Sequence, residues 1–188
     1  YMSAHDNNTL CDKLLLTNPE DSVEERIRRN RLGAAILMVS QGTPFWQAGE
    51  EMLRTKDGDE NSYKSSDAIN NIDWSVLKEG SDPYEMMLYY KGLMEMRKAY
   101  DIFRGDAEIS HEVLTGGALA VTFENGEGGK ALVLLNPGKF AITYDLGTEW
   151  HLIADGNKAG ISALASESGI VTVRGLEVRI YVNDVLIP

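Results

Sequence analysis

The residues that could do chemistry stand at the start of the chain, where Tyr1-Met2-Ser3-Ala4 leads into His5-Asp6-Asn7-Asn8-Thr9-Leu10-Cys11-Asp12. An imidazole, a carboxylate and a carboxamide side by side can together grip a polyhydroxylated ligand. Neighbouring side chains on a strand point to opposite faces, so His5 and Asp6 share a site only if the backbone is already turning there. That is the geometry at the C-terminal mouth of a barrel strand, where barrel enzymes keep their chemistry. A His-Asp pair also has a plainer use, as a local hydrogen bond or a helix cap. These residues alone leave both readings open.

The other reactive side chains exclude more than they offer. Cys11 is the single cysteine, which rules out an internal disulfide framework and a Cys-based zinc site. His111 and His151 fall in or near strand-like runs and read as structural or surface residues. Arg26, Arg28, Arg29 and Arg31 lie among Glu24 and Glu25 at helical pair spacing, as on a solvated helix face. With a net charge of -11 the chain lacks the clustered cations that a nucleic-acid partner demands. No apolar run reaches membrane-spanning length, and no charged-then-apolar signal segment opens the sequence. Because the first residue is Tyr1, the chain is expected to be processed or to be a piece of something longer. Cytoplasmic and secreted locations both stay open.

The elements that must position these residues divide near residue 105. Before it, a strand-helix-strand-helix order is expected. Ser22-x-x-Glu25 is a capping box opening a helix over Ser22–Ser40, with Ile27, Ala34, Ala35, Met38 and Val39 as apolar contacts. Gly42 and Pro44 end it. Thr43–Ala48 reads as a short buried strand ending at Gly49-Glu50-Glu51. Asp82-Pro83-Tyr84-Glu85 opens a second helix, whose Met86, Tyr89, Leu93, Met96 and Tyr100 recur at steps of three and four, as core packing does. Between the helices the polar loop Leu53–Ser81 is long enough to be functional or disordered. Its Asp57-Gly58-Asp59-Glu60-Asn61 run fails the EF-hand spacing, since Ser62 stands where glycine and Ala68 where glutamate is required. A nonstandard calcium site there is the minor alternative. After residue 105 the period becomes two, with β-rich runs at Ala118–Glu124, Lys130–Leu135, Phe140–Leu146, Trp150–Ala154, Gly169–Val173 and Leu176–Val182. Short strands at such spacing suggest an antiparallel sandwich of about eighty residues.

Five blocks in order carry a family resemblance. They are His5-Asp6-Asn7-Asn8-Thr9-Leu10, Gln41-Gly42-Thr43-Pro44-Phe45-Trp46-Gln47-Ala48-Gly49-Glu50-Glu51, Leu53-Arg54-Thr55-Lys56, Asn61-Ser62-Tyr63 and Asn70-Asn71-Ile72-Asp73-Trp74. Together they resemble the type I pullulanases, starch-debranching glycoside hydrolases of the α-amylase superfamily. The resemblance implies an α/β plus all-β chain. Residues 1–105 would be the last two strand-helix units of a (β/α)8 barrel, and residues 106–188 an antiparallel β-sandwich domain.

The resemblance also implies roles. Asp6 would be the third active-site carboxylate, bonding sugar hydroxyls and stabilising an oxocarbenium-like transition state, with His5 donating to the same ring. Asn7, Arg54, Asn61 and Tyr63 would hold glucose units beside the cleaved α-1,6 branch, although Arg54 reads equally well as an ion-pair partner of Glu50 or Glu51. No metal ligand set is implied. No cofactor is expected, and any calcium of the parent enzyme has no clear site in these residues. The implied partners are an α-glucan such as pullulan or branched dextrins, and the upstream remainder of the same polypeptide.

Two departures bound this expectation. A retaining glycosidase needs a nucleophilic carboxylate and an acid carboxyl about 5 Å apart. The Gly-Phe-Arg-x-Asp setting of the family's nucleophile and the motif of its acid do not occur here, so the chain alone is expected to be inactive. Cys11 stands where the family usually has an aromatic after Thr-Leu, which removes a stacking or packing surface. Two alternatives to an enzyme portion are a carbohydrate-binding module using Trp150 and nearby tyrosines, and a structural sandwich that covers apolar barrel-helix surface.

Overall fold

A computed structural model describes residues 1–187. Four helices come first: α1 (Leu10–Thr17), α2 (Val23–Val39), the single turn α3 (Asp67–Asn70) and α4 (Asp82–Ala99). Eight strands follow: β1 (Glu108–Val113), β2 (Leu119–Glu124), β3 (Lys130–Asn136), β4 (Ile142–Asp145), β5 (Trp150–Ala154), β6 (Ala165–Glu167), β7 (Ile170–Val173) and β8 (Glu177–Val182).

The capping box of α2 forms as its sequence dictates. Glu25 N donates to Ser22 Oγ at 3.1 Å, while Ser22 N donates to the Glu25 carboxylate at 2.7 Å. Each end thereby satisfies an otherwise orphaned donor. In α4 the cap is Ser81, whose Oγ accepts from Tyr84 N, so Asp82 is the first helical residue and Pro83 the second. The expected apolar row, Met86, Tyr89, Leu93, Met96 and Tyr100, is buried throughout. Helix α1 was not expected. It spans eight residues, too few for a three-and-four repeat to stand out, and it starts where Thr9 Oγ1 accepts from Asp12 N.

The two strands expected before residue 105 do not form. A strand exists through its ladder, and among the described residues no other strand precedes residue 108 to pair with residues 1–4 or 43–48. The second segment is not buried either: Thr43, Phe45 and Ala48 are exposed, and Trp46 is half-buried against Tyr90 with ring centroids 6.2 Å apart.

The second half is antiparallel throughout. Six strands form one sheet in the order β1-β2-β3-β8-β5-β6, and β4 with β7 makes a separate ribbon. β1 and β6 went unpredicted. β1 is an edge strand whose residues are all exposed, and β6 has three residues, so neither shows an apolar alternation. In β3 the period of two sorts side chains to two cores: Ala131 and Val133 join the helices, whereas Leu132 and Leu134 face the ribbon. The first core runs from Leu32 on α2 and Leu93 on α4 to Val178, Ile180 and Val182 on β8. It is continuous across residue 105. The second gathers Leu146, Val171 and Val173 of the ribbon region against Leu152 and Tyr181.

Polar contacts fix the helices to the sheet. Gly92 is required where α4 meets the loop after β5, because a Cβ there would lie 2.0 Å from the Ala159 carbonyl oxygen. Nearby, Tyr89 Oη donates to Asp155 O at 3.0 Å and Tyr100 Oη to Ile161 O at 2.8 Å. At the start of α2, Asp21 takes Arg29 at 2.5 Å and Lys139 at 2.6 Å, and Lys139 also reaches Glu25 at 2.9 Å. Hydrogen bonds from Arg29 and then Lys139 hold the Asp21 carboxyl at about 2, below its ordinary range.

Candidate functional site

The chain bends at His5–Asn7, the turn that lets neighbouring side chains share a site. Asn7 occupies the left-handed region at φ 71°, which asparagine tolerates better than most residues. Two bonds pin the bend to the long loop: Asn7 N donates to Glu60 O at 3.1 Å and Asn8 Nδ2 to Gly58 O at 3.2 Å. His5 and Asp6 then project into solvent, 86% and 90% exposed, with Nε2 and Oδ2 3.5 Å apart. Neither is spent on a structural partner.

Beneath this rim lies a buried polar scaffold with Asp12 at its centre. Its carboxylate accepts from Thr9 Oγ1 at 2.9 Å, from Lys56 N at 2.8 Å and from Thr55 Oγ1. Lys56 Nζ passes the connection to Ser62 Oγ at 2.6 Å, and Ser62 Oγ donates to Asn70 Oδ1 at 2.9 Å. Asn70 Nδ2 returns to Ser62 O at 2.7 Å and Ser65 O at 3.1 Å. A buried polar network fully supplied with partners holds its backbone rigidly. Ser62 is thus fixed, and Asn61 and Tyr63 on either side of it are displayed. Asn61 is exposed, and Tyr63 is 75% exposed with Lys64 Nζ 5.1 Å from its ring centroid.

The Asn7–Glu60 bond thus joins the His5–Asn7 bend to the loop just before Asn61. Arg54 belongs to the support instead. Its Nη1 donates to Ala48 O at 3.2 Å and its Nη2 to Asn70 O, so the guanidinium ties the two ends of the 48–70 segment. The ion pair with Glu50 or Glu51 does not form: Nη1 and Nη2 are turned to main-chain carbonyls, and the buried Nε has no partner among the described residues. Gly49 makes room for it: at φ 96° and with an added Cβ only 2.5 Å from Arg54 Cδ, no other residue fits there without strain. In the acidic run, the Asp59 carboxylate accepts from Asn61 N at 3.1 Å and from Ser65 Oγ. Those bonds, Ser65 first, draw its pKa down.

A second buried network went unread in the sequence. Glu50, 4% exposed, accepts from Ser3 Oγ and from Tyr90 Oη at 3.0 Å, linking the first residues to α4. Nothing in spacing connects residues 3, 50 and 90. The pair Glu50-Glu51 after Gly49 was the only signal available. Desolvation raises the Glu50 pKa above the ordinary glutamate range, and the two donated hydrogen bonds oppose that rise. A raised folded-state pKa means that the folded chain holds its proton more tightly. This contribution to stability is complete below the unfolded value and is lost as pH rises through the folded one. Thermal melts are thus expected to show Glu50→Gln gaining on the unmodified chain as pH rises from about 4 toward neutrality, with a flatter pH profile. Identical profiles would show that Glu50 is ionised without cost.

Trp150, the proposed stacking platform of a binding module, is half-buried and packs on the cluster between sheet and ribbon. Cys11 is half-buried between α1 and α2, and burial first, then Asp12, pushes its thiol pKa up.

No protein-family model matches the chain. Similar proteins do. A pullulanase of Bacillus subtilis (strain 168) is 40% identical over 104 residues, 55% of this chain and 14% of the relative. Pullulanase A of Streptococcus pneumoniae is 29% identical across 99% of this chain, but 20% of its own length. Among solved structures, the pullulanase from Bacillus acidopullulyticus superposes with a TM-score of 0.86 at 31% identity, over 96% of this chain and 23% of that one. The chain thus spans less than a quarter of the length of these relatives. Covered almost end to end by one solved pullulanase and by one pullulanase sequence, the chain is a homologue of the type I pullulanases and matches a portion of them.

Proposed function

We propose that this chain is the C-terminal portion of a pullulanase-type enzyme that hydrolyses α-1,6-glucosidic branch linkages in pullulan and branched dextrins. In this reading residues 1–105 complete a (β/α)8 barrel, residues 106–188 form its C-terminal β-domain, and the nucleophile and the acid lie upstream. Asp6 and His5 bond the ring hydroxyls at the scissile glucose. Asn7, Asn61 and Tyr63 contact glucose units beside it, while Arg54 keeps the loop closed. Residues 1–4 and 43–48 become barrel strands once neighbours supply their ladders.

The observation that carries this reading is the pairing of two contrasting layers. A rigid, buried scaffold around Asp12 and Ser62 displays His5, Asp6, Asn61 and Tyr63, none of which it uses for its own bonding. Precise display of unused polar groups is what recognition of a sugar requires. The maltotetraose complex of a pullulanase from Anoxybacillus sp. LM18-11, a structural neighbour at TM-score 0.83 and 26% identity, supports an α-glucan as the ligand class. In the full-length enzyme, Asn61→Ala and Tyr63→Ala are each expected to raise the KM for pullulan by about tenfold, the loss of one or two hydrogen bonds or a stacking contact. Because both side chains are exposed, thermal stability stays unchanged. Unaltered KM in both variants would remove Asn61 and Tyr63 from the substrate contacts.

A further inference from the structure

The described residues contain one group of His, Cys, Asp or Glu side chains with metal-ligand geometry, and it lies in the β half, sharing no residue with the loop cluster. One ligand atom each from Glu149, His151 and Asp184 falls within 4.8 Å of the others. The sheet explains the convergence. Glu149 and His151 are two apart and so lie on one face of the chain at the start of β5. β8 runs antiparallel beside it with Val182 opposite His151, which places Asp184, two residues on, next to that same face.

The imidazole is held at both of its nitrogens. Ser166 on β6 stands directly across from His151, and its hydroxyl contacts Nδ1 at 2.9 Å. With Nδ1 occupied, Nε2 is left pointing at Asp184 Oδ1, 2.5 Å away. The His151 side chain is 16% exposed, so its orientation is set by packing as well. A ligating histidine is similarly bonded through its second nitrogen to an outer partner, and Ser166 holds the orientation of the ring here. Around it two carboxylates meet with no lysine or arginine: among the described residues Asp184 pairs with His151 alone, and no ion pair involves Glu149. Like charges drawn together on a chain of net charge -11 call for a cation between them.

We propose that Glu149, His151 and Asp184 form a surface site for a borderline divalent cation, with Zn²⁺ the best fit. One imidazole and two carboxylates are common zinc ligands, and an imidazole donor disfavours Mg²⁺ and Ca²⁺, which take oxygen. Bonds of ~2.0 Å in a tetrahedron separate ligand atoms by ~3.3 Å, so the His151–Asp184 contact opens by less than an ångström and the fourth position stays with water. The ion would join β5 to the turn after β8 and brace the end of the sheet.

The test is calorimetric titration of ZnCl₂ into chelator-treated protein, with a thermal melt at each saturation. The site predicts saturable binding of one Zn²⁺ per chain and a rise in Tm. His151→Ala abolishes both, Asp184→Asn weakens binding about tenfold or more, and Ser166→Ala weakens it about tenfold through the lost orientation of the ring. His111→Ala leaves binding intact and controls for adventitious histidine. Circular dichroism identical to that of the unmodified chain keeps the Asp184→Asn result interpretable if His151→Ala folds poorly. Absence of saturable Zn²⁺ binding, or binding that survives both His151→Ala and Asp184→Asn, overturns the site and leaves His151–Asp184 as an ordinary hydrogen bond.

Discussion

On the proposed pullulanase-type function, Asp6→Asn in the full-length protein is expected to lower kcat on pullulan by about 10³-fold, equivalent to ~4 kcal/mol of barrier. The substitution keeps the shape, removes the charge and turns one acceptor oxygen into a donor. A carboxylate beside a glucose ring that is becoming an oxocarbenium ion interacts more strongly with the transition state than with the ground state, so the loss falls on kcat more than on KM. The Asp6 side chain is 90% exposed and its ion-pair partner is the likewise exposed His5, so Tm is expected to stay where it was. A fall in kcat with unchanged Tm separates this role from a structural one. A kcat within a few-fold of the unmodified enzyme would take Asp6 out of the chemistry.

Arg97→Met is expected to destabilise the fold by about 4 kcal/mol, since two buried and two part-buried acceptors lose their donor at once. Arg97 is 6% exposed and its guanidinium serves four main-chain carbonyls: Met38 at 2.6 Å, Ser40 at 2.9 Å, Phe103 at 2.8 Å and Gly42 at 2.6 Å. Three belong to the end of α2 and the turn after it, where helix carbonyls have no partner of their own. The fourth is in the segment leaving α4. One side chain therefore closes the C-terminal end of α2 onto α4, beneath the residues that run on toward Gly49. Methionine matches much of the volume and offers no donor, so chemical denaturation of this variant isolates the hydrogen bonds. A loss under about 1 kcal/mol would mean that water replaces the guanidinium.

These residues also show what a sequence discloses. The capping box at Ser22 and Glu25 and the three-and-four row on α4 are local codes, and both appeared as written. Strands β2, β3, β5 and β8 followed from alternation, because each face of their sheet has its own core to fill. Residues 1–4 and 43–48 carry strand-like composition but pair with nothing here, since a ladder is a property of two segments and sequence reads one. The same limit applies to the site. His5, Asp6, Asn61 and Tyr63 were named in the sequence through the family resemblance, and all four are exposed. The scaffold under them was not, because Asp12, Lys56, Ser62 and Asn70 are ordinary residues made special only by their bonds to one another. Arg54 illustrates the difference: an arginine beside two glutamates suggests an ion pair, yet main-chain carbonyls hold it.

On the proposed function, this chain contributes one side of an active site whose nucleophile and acid stand elsewhere in the polypeptide. Release of reducing ends from pullulan, compared between the purified 188-residue chain and the full-length enzyme, tests it most directly. The full-length enzyme is predicted to cleave, and the chain alone to release nothing above background at any concentration. Cleavage by the chain alone, abolished by Asp6→Asn, would contradict the claim and place a complete catalytic set within these residues.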